Sequence, residues 1–390
     1  MAELDVVLAG GLRDRQALGL ARKLPSPHRL DIDLGSNDYL GLATDPRVIA
    51  AAVAGVNDFG AGSTGARLIS GNLPVHEELE TAIAALKGAE AALLFPSGYQ
   101  VAVGAIPALA AGGDLIISDE LNHACLIDGC RMSRATVRIY SHNDIESARQ
   151  LLANRKYFRR CLIVTDGVFS MDGDVADLEG LVALRDEFDC WLMVDDAHGT
   201  GVLGDRGSGS AEYCGVSGSV DVQMGTLSKA LGASGGFIAG SRILIQHLLN
   251  NARSFIYTTG PSPASSGAAL EALNIVRDEP DRRLHLNANA SYLRSGLRCI
   301  GLPVAEGPTP IIPVLFGGSE VVMRLADELQ PMFGITGIRP PTVPEGTARL
   351  RVTVKATHTT QQLDNVIETF DTVLRRFGWR QFVLDGLATE

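Results

Sequence analysis

A lysine set among glycines and hydroxyl residues is the first group in this chain able to do covalent chemistry. It is Lys229, in GTLSKALGASGGFIAG from Gly225 to Gly240, just after the apolar run Val220–Met224. Glycines let a backbone come close to a ligand, the hydroxyls of Thr226 and Ser228 can donate to an anion, and a lysine amine can form a Schiff base with a carbonyl. A lysine in such a loop can equally be a solvated charge. The segment is not a Walker phosphate loop, because the glycine needed before the lysine is missing. Whether Lys229 does chemistry depends on what the rest of the chain brings to it.

Three polar clusters are candidates. Asp195 and Asp196 close an apolar run, with His198 shortly after them. A carboxylate there can cap the following turn, or it can face a heterocyclic nitrogen and keep it protonated. A protonated pyridine nitrogen makes pyridoxal phosphate an electron sink, and an aspartate is its usual partner. Strand alternation alone leaves open which of the two aspartates faces inward. His123, in ELNHACLID, is either an ordinary polar group or a flat ring able to stack on a cofactor. At Ser97-Gly98-Tyr99 a strand gives way to a helix, so the serine is an N-cap, or the free N–H groups there receive a phosphate.

The elements that must position these groups follow from periodicity. The spacing predicts an amphipathic helix from Met1 to about Leu24, then LDIDLGSNDYLGL with a turn at Ser36-Asn37-Asp38. Helices are predicted over Pro46–Asn57 and Leu73–Lys87, flanking the loop GAGSTGARLISGN. Short apolar strands at Ala91–Phe95, Leu115–Ser118, Val137–Tyr140, Cys161–Thr165, Cys190–Val194 and Val220–Met224 then alternate with helices. Continuous apolar strands separated by helices mark a mostly parallel sheet covered on both faces. The polar clusters fall at the carboxyl ends of these strands, where open α/β sheets bind ligands. Past Pro280 the pattern changes to long helices with strands near Ile311–Leu315 and Ala348–Val354, a smaller α+β domain. The expected division is 1–45 as an N-terminal segment packing with the small domain, 46–279 as the large domain and 280–390 as the small one.

Composition excludes several classes. A net charge of −11 argues against nucleic acid or an anionic membrane as the main partner. The six cysteines show no zinc-type spacing, so no metal site is expected, and several lie in apolar runs, where a reduced cysteine packs as a small hydrophobe, which favours a reducing cytoplasm. The start, MAELDVVLAGGL, lacks a basic signal-peptide region. The most apolar stretch, Val101–Ser118, is interrupted by Pro107 and Gly112-Gly113-Asp114 and reads as buried helix and strand, not a membrane span.

With these residues assembled, the chain resembles the α-oxoamine synthases, a branch of the fold type I pyridoxal-phosphate enzymes. The strings that carry the resemblance run nearly end to end: SNDYLGL, ISGN, LFPSGY, LNHACLIDG, GVFSMDGD, VDDAHGTGVLG, GTLSKALG, FIYTTGPSP and IRPPTVPEGTARLRVT. The resemblance implies an α/β fold type I transferase holding pyridoxal 5'-phosphate. It makes Lys229 the Schiff-base lysine and the base for the α-proton, Asp195 the partner of the ring nitrogen and His123 the stacked ring, the three expected catalytic residues. His198 and Ser170 then face the ring oxygen, and Gly98, Tyr99 and Thr226 cradle the phosphate, with Thr259 contributed by a second subunit of a homodimer. Arg351 matches the arginine for the amino-acid carboxylate, a task for a bidentate donor. Asn37 joins it in binding substrate, and Arg22 is a candidate for the distal carboxylate of the acyl chain.

The chemistry so implied is decarboxylative condensation of an amino acid with an acyl thioester. The best-matching branch joins L-alanine to a pimeloyl thioester, on coenzyme A or acyl carrier protein, in biotin synthesis. Ala66 and Leu68 flank Arg67 where members using glycine and a succinyl thioester carry threonine and asparagine, which disfavours that substrate pair. Members that use glycine with an acetyl thioester or serine with a palmitoyl thioester, an aminotransferase, and a non-catalytic ligand-binding homologue are the competing readings.

Overall fold

The computed structural model describes residues 3–17, 20, 21, 24 and 30–378. It separates into two compact units, Met1–Asp31 and Ile32–Glu390. In the first, the helix spans Glu3–Ala17, with Glu3 and Asp5 in its first turn and Arg15 in its last, as the helix dipole favours. It stops short of the expected end near Leu24.

The second unit contains both sheets. The larger has seven strands in the order β1-β7-β6-β5-β4-β2-β3. In chain order these are β1 (Ala91–Phe95), β2 (Leu115–Asp119), β3 (Thr136–Tyr140), β4 (Cys161–Asp166), β5 (Trp191–Asp195), β6 (Val222–Thr226) and β7 (Gly236–Gly240). Strand β2 pairs in parallel with β3 and β4, β4 with β5, and β5 with β6. Only β7 runs against the rest, antiparallel to both β6 and β1.

Side-chain alternation splits the core across this sheet. Ile116, Leu162, Val164 and Met193 pack on one face with Val101, Ala105 and Ile106 of helix Gly98–Leu109. Their neighbours Leu115, Ile117, Ile163, Leu192 and Val194 pack on the other with Leu178, Leu181 and Leu184 of helix Leu178–Phe188. Strands β2, β4 and β5 are therefore apolar on both sides, which is why their sequences read as unbroken hydrophobic runs.

The smaller sheet holds β8 (Ile311–Gly317), β9 (Thr336–Ile338) and β10 (Ala348–Thr353), antiparallel in the order β8-β10-β9. Its core is built at helical spacing by Val322, Leu325 and Leu329 of helix Ser319–Phe333 and by Leu363, Val366 and Phe370 of helix Thr360–Arg376. Leu350 and Val352 enter this core, so the strand's two-residue period turns Arg349 and Arg351 the other way. Those arginines reach the loop after β4, where Arg349 pairs with Asp172 and Arg351 Nε donates to the Ser170 carbonyl. The stretch before Tyr39 is tied to the same core. Leu34 donates to the Phe333 carbonyl at 2.8 Å, and its own carbonyl accepts from Thr353 N at 2.7 Å.

Strands β7 and β9 are absent from the periodicity reading. GFIAG looks like glycine-rich loop, yet glycine is what lets it pair: a Cβ on Gly225 of β6 would lie 2.5 Å from the Phe237 ring, and one on Gly236 would lie 2.7 Å from Gly98 N. Among the described residues no helix is long and apolar enough to cross a membrane.

Candidate active site

Five strands of the large sheet deliver polar residues to one cavity of about 260 Å³. Asp166, Asp195 and Thr226 are the last residues of β4, β5 and β6, while Ser97 and His123 follow β1 and β2. Lys229, Gly98, Tyr99, Cys125, Ser170, Ala197, His198, Met224 and Ser228 complete the lining. All lie at carboxyl strand ends, as expected for this class of sheet. A larger groove of about 570 Å³ includes Trp191 and Val222, which begin β5 and β6, and so opens at the opposite edge, away from Lys229.

The two aspartates divide cleanly. Asp195 faces the cavity, its Oδ1 accepting from Ala197 N at 3.0 Å and its Oδ2 lying 3.8 Å from the Cys125 thiol. Asp196 turns away to a buried ion pair with Lys87 Nζ at 2.6 Å and accepts from Ser210 N at 3.0 Å and Thr200 Oγ1 at 3.2 Å. Burial pushes the Asp195 carboxyl above the usual carboxylate range, with Lys229 pulling the other way. Asp166, also buried, is pushed well above that range by burial and then by the charge of Asp195.

Lys229 is half-buried, its Nζ 2.7 Å from His198 Nε2. Burial lowers its pKa, while Asp195 and Asp166 oppose the shift. A lysine depressed by desolvation keeps a larger share of free amine for nucleophilic attack. His198 is held well below its ordinary value by burial, reinforced by Lys229 and Arg351, and so stays neutral. His123 caps helix Ala124–Met132, its Nδ1 accepting from Cys125 N at 3.2 Å, which fixes the imidazole at the cavity's edge. Its backbone N–H donates to Asp166 Oδ2 at 2.9 Å.

At the start of helix Gly98–Leu109, Ser97 Oγ accepts from Gln100 N at 3.2 Å. The N–H groups of Gly98 and Tyr99 have no intrahelical partner and stand at the positive end of the helix dipole. Thr226 Oγ1 donates to the Gly235 carbonyl at 2.8 Å and lies 2.8 Å from Ser228 Oγ. A Cβ on Gly98 would sit 3.5 Å from Thr226 Cβ, so a side chain there would close the space between them.

The expected substrate residues are placed unevenly. Neither Arg351 nor Asn37 lines the cavity; Arg351 Nη2 donates to Asn37 Oδ1 at 3.0 Å, and its Nε donates to the carbonyl of Ser170, which does line it. Thr259 is exposed and does not line the cavity. Arg22 lies outside the described residues. Two groups went unread in the sequence. Asp166 carries the same signal as Asp195, a carboxylate ending an apolar strand, and Tyr39 lies inside SNDYLGL with its hydroxyl 2.7 Å from His198 Nδ1. A second cavity of about 430 Å³, lined by Glu120, Asn122, Phe169, Ser170 and Pro341–Pro344, shares Ser170 with the first.

The profile of the family described as aminotransferase class I and II matches residues 30–370. The chain belongs to the aminotransferase class I and II family. Within the curated members of this family it resembles, an 8-amino-7-oxononanoate synthase from Lysinibacillus sphaericus is 48% identical over 345 residues, covering 88% of each chain. A solved serine palmitoyltransferase variant from S. paucimobilis, with a bound PLP–myriocin aldimine, superposes with a TM-score of 0.87 at 28% identity, covering 95% of this chain and 97% of that one. An 8-amino-7-oxononanoate synthase structure from Francisella tularensis gives a TM-score of 0.76 at 26% identity, covering 88% of this chain and 98% of the other.

The cavity of this aminotransferase-family chain suits pyridoxal 5'-phosphate on its own chemistry. Asp195 is a buried carboxylate with a weak thiol contact at 3.8 Å and no ion pair as close as that of Asp196, the setting for a protonated ring nitrogen. The first-turn N–H groups and the Thr226 and Ser228 hydroxyls make an anion cradle at the other end. Lys229 lines the same cavity, its pKa lowered by burial.

Proposed function

We propose that this chain condenses L-alanine with a pimeloyl thioester to give 8-amino-7-oxononanoate, carbon dioxide and the free thiol, a step of biotin synthesis. The observation that carries the reading is the convergence of Lys229 and Asp195 on one cavity whose lining residue Ser170 accepts from Arg351. Identity of 48% to a curated 8-amino-7-oxononanoate synthase, against 28% to a solved serine palmitoyltransferase, supports the choice of substrates.

Pyridoxal 5'-phosphate, when bound, supplies an electron sink for charge developing at the amino-acid α-carbon. Lys229 Nζ would hold it as a Schiff base, Asp195 would keep its ring nitrogen protonated, and His123 would supply the flat group beside its ring. His198 and Ser170 would serve its ring oxygen, and Gly98, Tyr99 and Thr226 would receive its phosphate. Arg351, with Asn37, would take the carboxylate of alanine, and Lys229 Nζ would then stand as a free amine beside the α-carbon. The freed amine then accepts the α-proton. The α-carbon bonds to the acyl carbon as the carbon–sulfur bond breaks, and the thiolate leaves to take up a proton. The carboxylate departs as carbon dioxide, and Lys229 returns a proton to the α-carbon.

The exposed Thr259, with Tyr257 at 71% exposure and Ile69 at 85%, supports a homodimer in which Thr259 reaches the partner's phosphate site. Sedimentation equilibrium is expected to return twice the chain mass, and a single-chain mass would remove this part of the reading. Free cysteines, four of them buried, support work in a reducing cytoplasm.

The test is a matrix of alanine, glycine and serine against pimeloyl, acetyl, succinyl and palmitoyl thioesters, scored by thiol release. Alanine with the pimeloyl thioester is expected to give the highest kcat/KM. A preference for serine with palmitoyl or glycine with succinyl thioester would overturn the assignment.

A further inference from the structure

Tyr39 is wholly buried, at 0% exposure, yet its hydroxyl sits between two polar partners, His198 Nδ1 at 2.7 Å and Asn37 Oδ1 at 3.1 Å. Asn37 Oδ1 also accepts from Arg351 Nη2 at 3.0 Å, and His198 Nε2 lies 2.7 Å from Lys229 Nζ. Four close polar contacts therefore run without a gap from the guanidinium to the amine, through a phenol and an imidazole.

The proton count makes this chain two-state. The phenol has one proton and three neighbours, since Arg351 also donates to its oxygen, and a neutral imidazole has one proton on one of its two nitrogens. If Tyr39 donates to Nδ1, His198 carries its proton on Nε2, facing Lys229. If Tyr39 donates to Asn37, its oxygen must accept from Nδ1–H, and Nε2 is bare. While Arg351 donates to the phenol oxygen as well as to Asn37 Oδ1, that oxygen does not need the Nδ1–H, and the first state is favoured, in keeping with the shorter Tyr39–His198 contact of 2.7 Å. A free amine at Lys229, which burial favours, accepts from that Nε2–H. A carboxylate that takes Arg351 for itself strips both Asn37 and the phenol oxygen of that donor. Asn37 Oδ1 then becomes the better acceptor for the phenol, and the imidazole proton moves to Nδ1.

We propose that Tyr39 is a positioning residue that passes the occupancy of Arg351 to His198, setting which nitrogen of that imidazole faces the lysine end of the cavity. The relay rests on the reading of Arg351 as the carboxylate site. It goes beyond that reading in making carboxylate binding change the hydrogen-bonding character of His198 before any bond is made or broken. No side chain has to move far, since the switch needs only a hydroxyl rotation and a tautomer change.

The test follows the ring nitrogens of His198 by NMR in the full-length chain labelled with 15N-histidine, before and after loading with pyridoxal 5'-phosphate. His198→Gln assigns the signals. Propionate serves as the probe, because it has a carboxylate but no amine to displace Lys229. In the wild type, saturating propionate is expected to move Nε2 from the protonated towards the unprotonated range and Nδ1 the opposite way. Tyr39→Phe keeps the ring and its packing, so it should bind propionate with a Kd within about threefold of wild type and lose the tautomer response. A wild-type His198 signal indifferent to bound propionate, or a Tyr39→Phe signal that responds as the wild type does, overturns the relay. Failure of propionate to bind, or its binding undiminished in Arg351→Ala, overturns the carboxylate-site reading and the relay with it. Failure to load the cofactor instead removes the cofactor reading, and the unloaded chain still decides the relay.

Discussion

At the scale of the residue, the site is a set of charges that burial disfavours and that only one another can stabilise. Asp195 and Asp166 are pushed up, Lys229 and His198 down, and burial is the largest cause in each case. A bound cation-forming ring would relieve Asp195 by placing a proton against its carboxylate. Asp195→Asn, nearly the same shape without the charge, is therefore expected to retain bound cofactor while kcat falls by roughly a hundredfold or more. Absorbance of the bound cofactor and a thiol-release assay measure the two effects, and unchanged kcat would remove Asp195 from its assigned place. Lys229, Asp195 and His123 could be read as candidates from residue type and place in the strand–loop pattern. The choice between Asp195 and Asp196 could not, because it depends on Lys87, more than a hundred residues earlier, claiming the second carboxylate. Tyr39 was hidden for a related reason. A tyrosine in an apolar run reads as core until a distant histidine gives its hydroxyl a partner.

At the scale of the element, the loop between β4 and helix Leu178–Phe188 matters most, because it carries Ser170 and anchors Arg351. His142 holds it, with Nδ1 3.0 Å from Asp119 and Nε2 2.9 Å from Asp174, and with its ring edge-on to Phe169 at a centroid distance of 4.4 Å. Burial opposes the charge on this imidazole, but hydrogen bonds to Asp119 and Asp174 outweigh it and carry the pKa from 6.5 up to about 10. A pKa raised on folding gives stability that is complete below the unfolded value and is lost as pH rises through the folded one. The clamp thus contributes fully below about 6.5 and fades towards pH 10. In urea unfolding, the stability difference between wild type and His142→Gln should shrink steadily over that interval, and a pH-independent difference would contradict the clamp. Most strands and helices were legible because each is apolar at its own period. Strand β7 was not, since a five-residue stretch that begins and ends in glycine is recognised as a strand only once β1 and β6 lie on either side of it.

At the scale of the molecule, the site depends on parts of the chain that are far apart in sequence. Asn37 precedes the large sheet, Lys229 follows β6, and Arg351 lies on the small sheet, yet close polar contacts link all three through Tyr39 and His198. Local pattern could suggest that two sheets exist, but not that β10 turns its arginines towards a loop of the other sheet. The same convergence singles out one lysine. The chain has five: Lys23, Lys87, Lys156, Lys229 and Lys355. Lys87 is buried against Asp196 at 2.6 Å, and Lys355 lies 3.6 Å from Asp33. Of the described lysines only Lys229 lines the cavity, and it also has a lowered pKa. The most direct measurement is therefore borohydride reduction of the chain loaded with pyridoxal 5'-phosphate, followed by peptide mass spectrometry. The account predicts one label per chain, on Lys229, and its disappearance in Lys229→Ala. A label on any other lysine in the wild type, or a chain that takes up the cofactor with no covalent link, would contradict it.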